Sequence, residues 1–256
     1  MDNATLERVN RAIDLAYDML INQYGHKHIL GVFLYGSQNY NLDTPTSDVD
    51  IKAIYVPDLY EVSCYKAPLS KVIKYPYGQI EIKDIREMAK MWKKQSINFL
   101  EILFTAFYRI NPMYYKDWVT LVTHKEDITR YDERRAILAA AHQALGIYDK
   151  KFCTGKDYAN ILRLCDFLSW YRSGVFSIRV YHTDRDKCMS YKTSTKMVDL
   201  SSPEALVHKT YLQNCIADTN YITPTKTSVN VDAWLAGFTC ECIKICSNLV
   251  DNPMNT

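Results

Sequence analysis

A chain of 256 residues with 48% hydrophobic and 23% charged side chains can bury one large core or two modest ones, which excludes a disordered polymer. Thirty-one basic against 29 acidic side chains leave a net charge of +2, so the surface as a whole is not drawn to nucleic acid or anionic membrane and any polyanion contact is local. The start, MDNATLERVNRAIDL, lacks the basic head and apolar core of a signal peptide, and no apolar run reaches about 18 residues; the expectation is a soluble, cytoplasmic protein with no membrane partner.

Leu6, Val9, Ile13, Ala16, Tyr17, Leu20 and Ile21 recur at helical spacing and predict an amphipathic helix over residues 4–22. Ile29 to Tyr35 is an apolar run that suits a buried strand. The polar loop GSQNYNLDTPT follows, and Val49 to Val56 is β-branched and apolar enough for a second strand, ended by Pro57 and Asp58. A turn-rich stretch with Pro68, Pro76 and Gly78 leads to a third short strand, QIEIK at 79–83. From Asp84 the period becomes helical: DIREMAKMWKKQ and INFLEILFTAF read as helices, with a break at Asn111 and Pro112. Beyond about residue 125 the reading is all helical, through DERRAILAAAHQALGIYDK, KDYANILRLCDFLSWYRSG, SPEALVHKTYLQNC and VNVDAWLAGFTCECIKICSNLV. The simplest partition is an α/β unit over 1–125 followed by a helical unit over 126–256.

Within LYGSQNYNLDTPTSDVDIKAIYV, residues 34–56, two aspartates fall two apart on the second strand. Asp48 and Asp50 then share a face, with Cα atoms about 7 Å apart, while Val49 and Ile51 face the other way. Two like charges so placed repel, which raises one pKa or costs stability unless a cation lies between them. Carboxylate oxygens suit hard Mg²⁺ or Mn²⁺. Solvated aspartates at a strand end are the bland alternative, because the pattern alone is short and common. The context weighs against it: Gly36 permits a turn closed to other residues, and Ser37 offers a hydroxyl and an amide to phosphate oxygens. Two-metal transfer of a nucleotidyl group needs a third carboxylate. Glu81 fits, because it alternates with Ile80 and Ile82 and so stands opposite their apolar face; a surface glutamate is the alternative. Asp84 competes, but Asp before Ile-Arg-Glu reads as a helix N-cap.

LYGS, nine residues, then SDVD resembles the GSx9SDxD signature of the DNA polymerase β-like nucleotidyltransferases, carried here by Gly36, Ser37, Ser47, Asp48 and Asp50. The longer run GSQNYNLDTPTSDVDIKAIYVP, with EIKDIREM and INFLEILF, more narrowly resembles the predicted nucleotidyltransferases of the RNA repair pathway polymerase β family, found in phages and bacteria. The close match covers roughly residues 30–110 and implies a small mixed sheet flanked by helices; with the helical periodicity beyond residue 125 the expectation is an α+β fold followed by a C-terminal helical domain. The resemblance also implies a nucleoside triphosphate as donor and two Mg²⁺ ions, for which Mn²⁺ can substitute. Gly36 and Ser37 are then expected to hold the β- and γ-phosphates, Asp48 and Asp50 to bridge both metals, Glu81 to be the third ligand, and Ser47 to fix the approach to the DxD strand. The superfamily's third carboxylate is frequently Asp, so Glu81 is a departure. The implied reaction moves an NMP, AMP or another ribonucleotide, onto an acceptor for which RNA is the first expectation. Two rival readings stand beside it: a non-catalytic nucleotide- or RNA-binding module of the same fold, and an enzyme that nucleotidylates a protein in a toxin or defence setting.

Lys156 and Arg163, seven apart on one helical face, are candidates to meet the triphosphate, with a solvated basic stripe as the alternative. Lys52, two beyond Asp50, points to the carboxylate face, where it meets Asp50 or phosphate. Asn98 and Glu101 sit in an apolar segment, and Glu101 reads as a structural hydrogen-bond acceptor. At 180–196, Arg185, Lys187, Lys192 and Lys196 mix with Tyr181 and Tyr191; a solvated loop is the simpler reading and a polyanion contact the sharper one. The eight cysteines lack the paired spacing of a zinc site and read as reduced, with Cys242 and Cys246 packing on one helical face.

Overall fold

The computed structural model describes residues 3–179, 182–223 and 226–248. The opening helix is α1 (Asn3–Tyr24), whose Val9, Ala12, Ile13, Ala16, Tyr17 and Leu20 form one buried stripe. β1 (Ile29–Tyr35) and β2 (Asp50–Tyr55) follow as an antiparallel pair with Tyr35 opposite Asp50. Asp58 caps the short α2 (Leu59–Ser63), accepting from the Glu61 amide at 2.8 Å. A hairpin comes next, β3 (Ser70–Tyr75) and β4 (Gly78–Asp84). β4 then lies parallel to β2, which puts Lys52 opposite Glu81. Asp84 starts α3 (Ile85–Lys93), its carboxylate accepting from the Arg86 amide at 2.8 Å, the N-cap role expected of it.

After α4 (Ile97–Leu100) and a 3₁₀ turn at Glu101–Leu103, β5 (Tyr108–Ile110) completes a mixed sheet of order β3-β4-β2-β1-β5. The three strands expected from sequence are the three central ones. The two edges differ from expectation: 70–75 falls in the stretch expected to be turn-rich, and 108–110 lies between the expected INFLEILFTAF helix and the break at Asn111, with no strand expected there. β3 is largely exposed, so it shows no apolar alternation, and β5 is three residues long.

The second half is helical: α5 (Tyr115–Thr123), α6 (Lys125–Thr129) and α7 (Glu133–Leu145) come first. A two-residue strand β6 (Phe152–Cys153) precedes α8 (Gly155–Arg172) and α9 (His182–Lys192); it pairs with β7 (Val198–Asp199), an addition to the all-helical reading. α10 (Pro203–Asp218) and α11 follow, the last described from Val231 to Asn248. The protein is α+β, with helices on both faces of its sheet.

Strand alternation sorts the core into two layers. Ile51, Ala53, Ile80 and Ile82 pack with the buried stripe of α1. Phe33 and Ile54 face the other way, into a cluster with Trp92, Trp118, Ile137, Leu164 and Cys246. That cluster draws on both sides of the 125/126 boundary, which falls within α6. Trp92 is fully buried and donates Nε1–H to the Phe99 carbonyl at 3.0 Å; truncating it to Ala costs about 3–5 kcal/mol. All eight cysteines are free thiols, with Cys242 and Cys246 packed in the core. Among the described residues no helix is long and apolar enough to cross a membrane.

Candidate active site

β1 ends at Tyr35, and the chain turns at Gly36 with φ 89°, where a side chain is strained. Even an added Cβ there would stand 3.6 Å from Asp50 Oδ2, so this turn passes close over the aspartate. Polar side chains fix the loop that follows. Asn39 donates to the Leu34 carbonyl at 2.7 Å and accepts from the Thr105 hydroxyl at 2.9 Å, and Gln38 donates to the Asp48 carbonyl at 2.7 Å. Ser47 accepts from the Thr44 amide at 2.9 Å, so its hydroxyl closes the turn before Asp48. Sequence reasoning left out Gln38 and Asn39; two buried amides beside a Gly-Ser turn were the available signal.

Asp48 precedes β2 and is exposed, while Asp50 opens the strand and is half-buried. Burial raises the Asp50 pKa above the usual carboxylate value, and the Asp48 charge raises it further; Lys156 and Lys52 act in the opposite sense. Between the two aspartates, Val49 is clamped: its amide donates to the Tyr77 carbonyl at 2.8 Å and its carbonyl accepts from the Tyr75 hydroxyl at 2.5 Å. Gly78 lies against this segment. A Cβ there would meet Val49 O at 2.9 Å, Asp48 Cβ at 3.1 Å and Asp50 Oδ1 at 3.2 Å. Sequence reasoning used Gly78 only as a turn marker.

Lys52 requires a correction. Expected to reach Asp50 or phosphate, it is buried and donates to Glu81 Oε2 at 2.5 Å, because the parallel register of β2 and β4 sets the two opposite each other. Its ammonium also lies over the rings of Tyr35 and Phe99, 3.8 and 4.2 Å from their centroids. Glu81 receives Lys83 as well, at 3.5 Å. Asp48, Asp50 and Glu81 therefore share one face without bringing three ligand oxygens within 4.8 Å of one another. Among the described residues only His28, Asp58 and Glu61 do so, and Asp58 and Glu61 form the cap of α2.

The opposite wall comes from α8 and α9. Gly36, Ser37, Ser47, Asp48 and Asp50 line a cavity of about 530 Å³ together with Tyr40, Asn98, Lys156, Arg163 and Lys192. Lys156 and Arg163 thus meet the aspartates in one space. Arg163 is buried, stacks on Tyr40 at 4.1 Å, and spends Nε and Nη2 on Asn160 Oδ1 at 3.1 and 2.9 Å; its Nη1 has no partner. Beneath it lies Glu101, fully buried, with neither oxygen in hydrogen-bond geometry although the Tyr40 hydroxyl and Gly36 amide face it. Burial pushes Glu101 up to about 7, against the pull of Lys52 and Arg163.

The basic stretch at 180–196 is α9 over most of its length rather than a loop, with Tyr181 outside the described residues. It holds the loop that follows the Gly-Ser turn: Arg185 donates to the Asn41 carbonyl at 2.9 Å and Lys192 to that of Leu42. Burial and the charge of Lys156 lower the Lys192 pKa. The chain matches no protein-family model and no curated protein.

Proposed function

We propose that the chain is a metal-dependent nucleotidyltransferase that moves an NMP from an NTP to an acceptor hydroxyl and releases pyrophosphate. The observation that carries this reading is one cavity in which a Gly-Ser turn and two aspartates on one side face Lys156, Arg163 and Lys192 on the other. A triphosphate needs both halves: cations for its oxygens, and carboxylates to hold the ions that travel with it.

The donor set fits a hard divalent ion, since Asp48 and Asp50 repel each other across a partly buried edge. Bound there, Mg²⁺ or Mn²⁺ would lower the pKa of the acceptor hydroxyl and offset charge on the leaving group. Gly36 and Ser37 bring amides and a hydroxyl to the β- and γ-phosphates. Lys156 and Arg163 draw the anion into line, and the stack on Tyr40 holds Arg163 in place. The acceptor oxygen bonds to the α-phosphorus, the bond to the β-phosphate bridge breaks, pyrophosphate takes the electron pair, and the hydroxyl proton passes to water. Glu81, on the same face and held by Lys52, would be the third carboxylate available to such an ion.

The Lys52–Glu81 pair is also what favours a second reading, a nucleotide-binding module without turnover, because it neutralises the third carboxylate. Incubation with each labelled NTP, Mg²⁺ and either RNA or cell lysate separates the readings. Label on RNA or protein that disappears in Asp48→Ala/Asp50→Ala supports transfer; nucleotide binding with no label moved supports the module.

A further inference from the structure

The charge of the chain is gathered beside the candidate site. Residues 66–94 hold eight Lys and Arg against three Asp and Glu, a net +5 in a chain whose total is +2, so everything else carries −3. This segment contains β3, β4 and α3. Part of its charge is committed: Arg86 pairs with Asp84, Lys90 with Glu87, Lys93 with Asp232, Lys83 with Glu81, and Lys66 with Glu61 at 3.5 Å, an exposed contact that phosphate can compete for. Lys71, Lys74 and Lys94 are exposed, and among the described residues no carboxylate lies within ion-pair distance of them. A cluster of like charge repels itself, and a polyanion relieves that repulsion.

β3 is an open edge of the sheet, bonded only to β4. Its register sets Lys74 opposite Gln79, Val72 opposite Glu81 and Ser70 opposite Lys83. Alternate residues share a face, so Ser70, Val72 and Lys74 extend the face of Glu81 and Lys52 that ends at Asp50. Lys74 is two strand spacings, about 10 Å, from the aspartate row. Six residues make β3 about 20 Å long, and Lys66 lies just beyond its far end. There Tyr65 is 94% exposed and Tyr60 70%, with the Lys66 ammonium over the Tyr60 ring.

Lysines beside bare aromatic rings suit single-stranded nucleic acid, with phosphates on the cations and unpaired bases on the rings. A polypeptide partner would call for apolar anchors, and Val72 is the single large apolar side chain exposed on β3. We propose that the β3 edge is the track for the acceptor: a single strand of RNA that follows the open edge, held by Lys74 from the site face, by Lys71 from the opposite face and by Lys66 beyond the strand, and stacked on Tyr65, which delivers its hydroxyl to the aspartates. The track deepens the nucleotidyl-transfer reading and rests on it.

Fluorescence anisotropy of a short labelled single-stranded oligoribonucleotide tests it. Three neutralised phosphates give a slope of about −2 in log affinity against log salt. Lys71→Glu/Lys74→Glu weakens binding about tenfold or more and Tyr65→Ala at least about fivefold, while both variants bind a fluorescent NTP analogue like wild type. RNA affinity indifferent to these changes overturns the track, as does label that moves to a polypeptide with no RNA bound. RNA binding lost in Lys71→Glu/Lys74→Glu, in a protein that never transfers label, upholds the track and sinks the transfer reading. Transfer to RNA that needs Asp48 and Asp50 but ignores the lysine variants does the reverse.

Discussion

Gly78 shapes the candidate site through the side chain it lacks. Its missing side chain lets the β3–β4 turn press against Asp48 and Asp50, with Val49 O only 2.9 Å from where a Cβ would stand. Gly78→Ala pushes the aspartates aside by a few tenths of an ångström or more, and NMP transfer is expected to fall on the order of 100-fold with the circular dichroism spectrum unchanged. Full activity in that variant would show that the aspartates tolerate displacement. Glu101 makes a different prediction. Its pKa rises from 4.5 to about 7 on folding, so between those values the folded protein keeps a proton that the unfolded chain loses. That stabilisation is complete below about pH 4.5 and fades as pH climbs through 7, a change on the order of 3 kcal/mol. Unfolding free energies from urea titrations at pH 5 and 8 should therefore diverge by that much more in wild type than in Glu101→Gln; parallel behaviour would mean that Lys52 and Arg163 keep Glu101 ionised throughout.

At the scale of elements, α8 and α9 act as one wall. Gly155, at the start of α8, lies so close to α9 that a Cβ would stand 2.0 Å from the Tyr191 carbonyl. Gly155→Ala must separate the two helices, at a cost of about 1–3 kcal/mol, and should loosen NTP binding together with thermal stability, since Lys156 and Lys192 sit on either side of the contact. A melting temperature that drops while NTP affinity holds would separate packing from the site. How much of this was legible depended on locality. β1, β2 and β4 could be read because their apolar pattern records burial in the sheet centre, and the Gly36–Asp50 spacing records a loop that returns to its starting edge. β3 shows no such pattern because it meets water. Lys52 was sent to the wrong partner because strand register between residues 29 apart in sequence is set by tertiary pairing, which no local period encodes. The meaning of Gly78 was hidden for the same reason.

At the scale of the molecule, the core on the site face of the sheet is shared between the two halves of the chain, with Trp92 and Trp118 supplying the near side. Phe33 and Ile54 are completed by Ile137, Leu164 and Cys246, which come from α7, α8 and α11. A fragment ending at residue 125 leaves that face open and should give a broadened NMR spectrum and bind hydrophobic dye, whereas a sharp, dispersed spectrum would establish an independent N-terminal unit. The far end of the chain closes the near one. Ser247 on α11 accepts from the Leu59 amide at 2.7 Å, and Cys246 donates to the Val56 carbonyl at 3.5 Å. During synthesis Asp48 and Asp50 leave the ribosome long before the helix that seals the layer behind them, so a nascent chain carries the cavity's side chains yet lacks the frame that aligns them. On the nucleotidyl-transfer reading, competence therefore waits for the last helix of the chain.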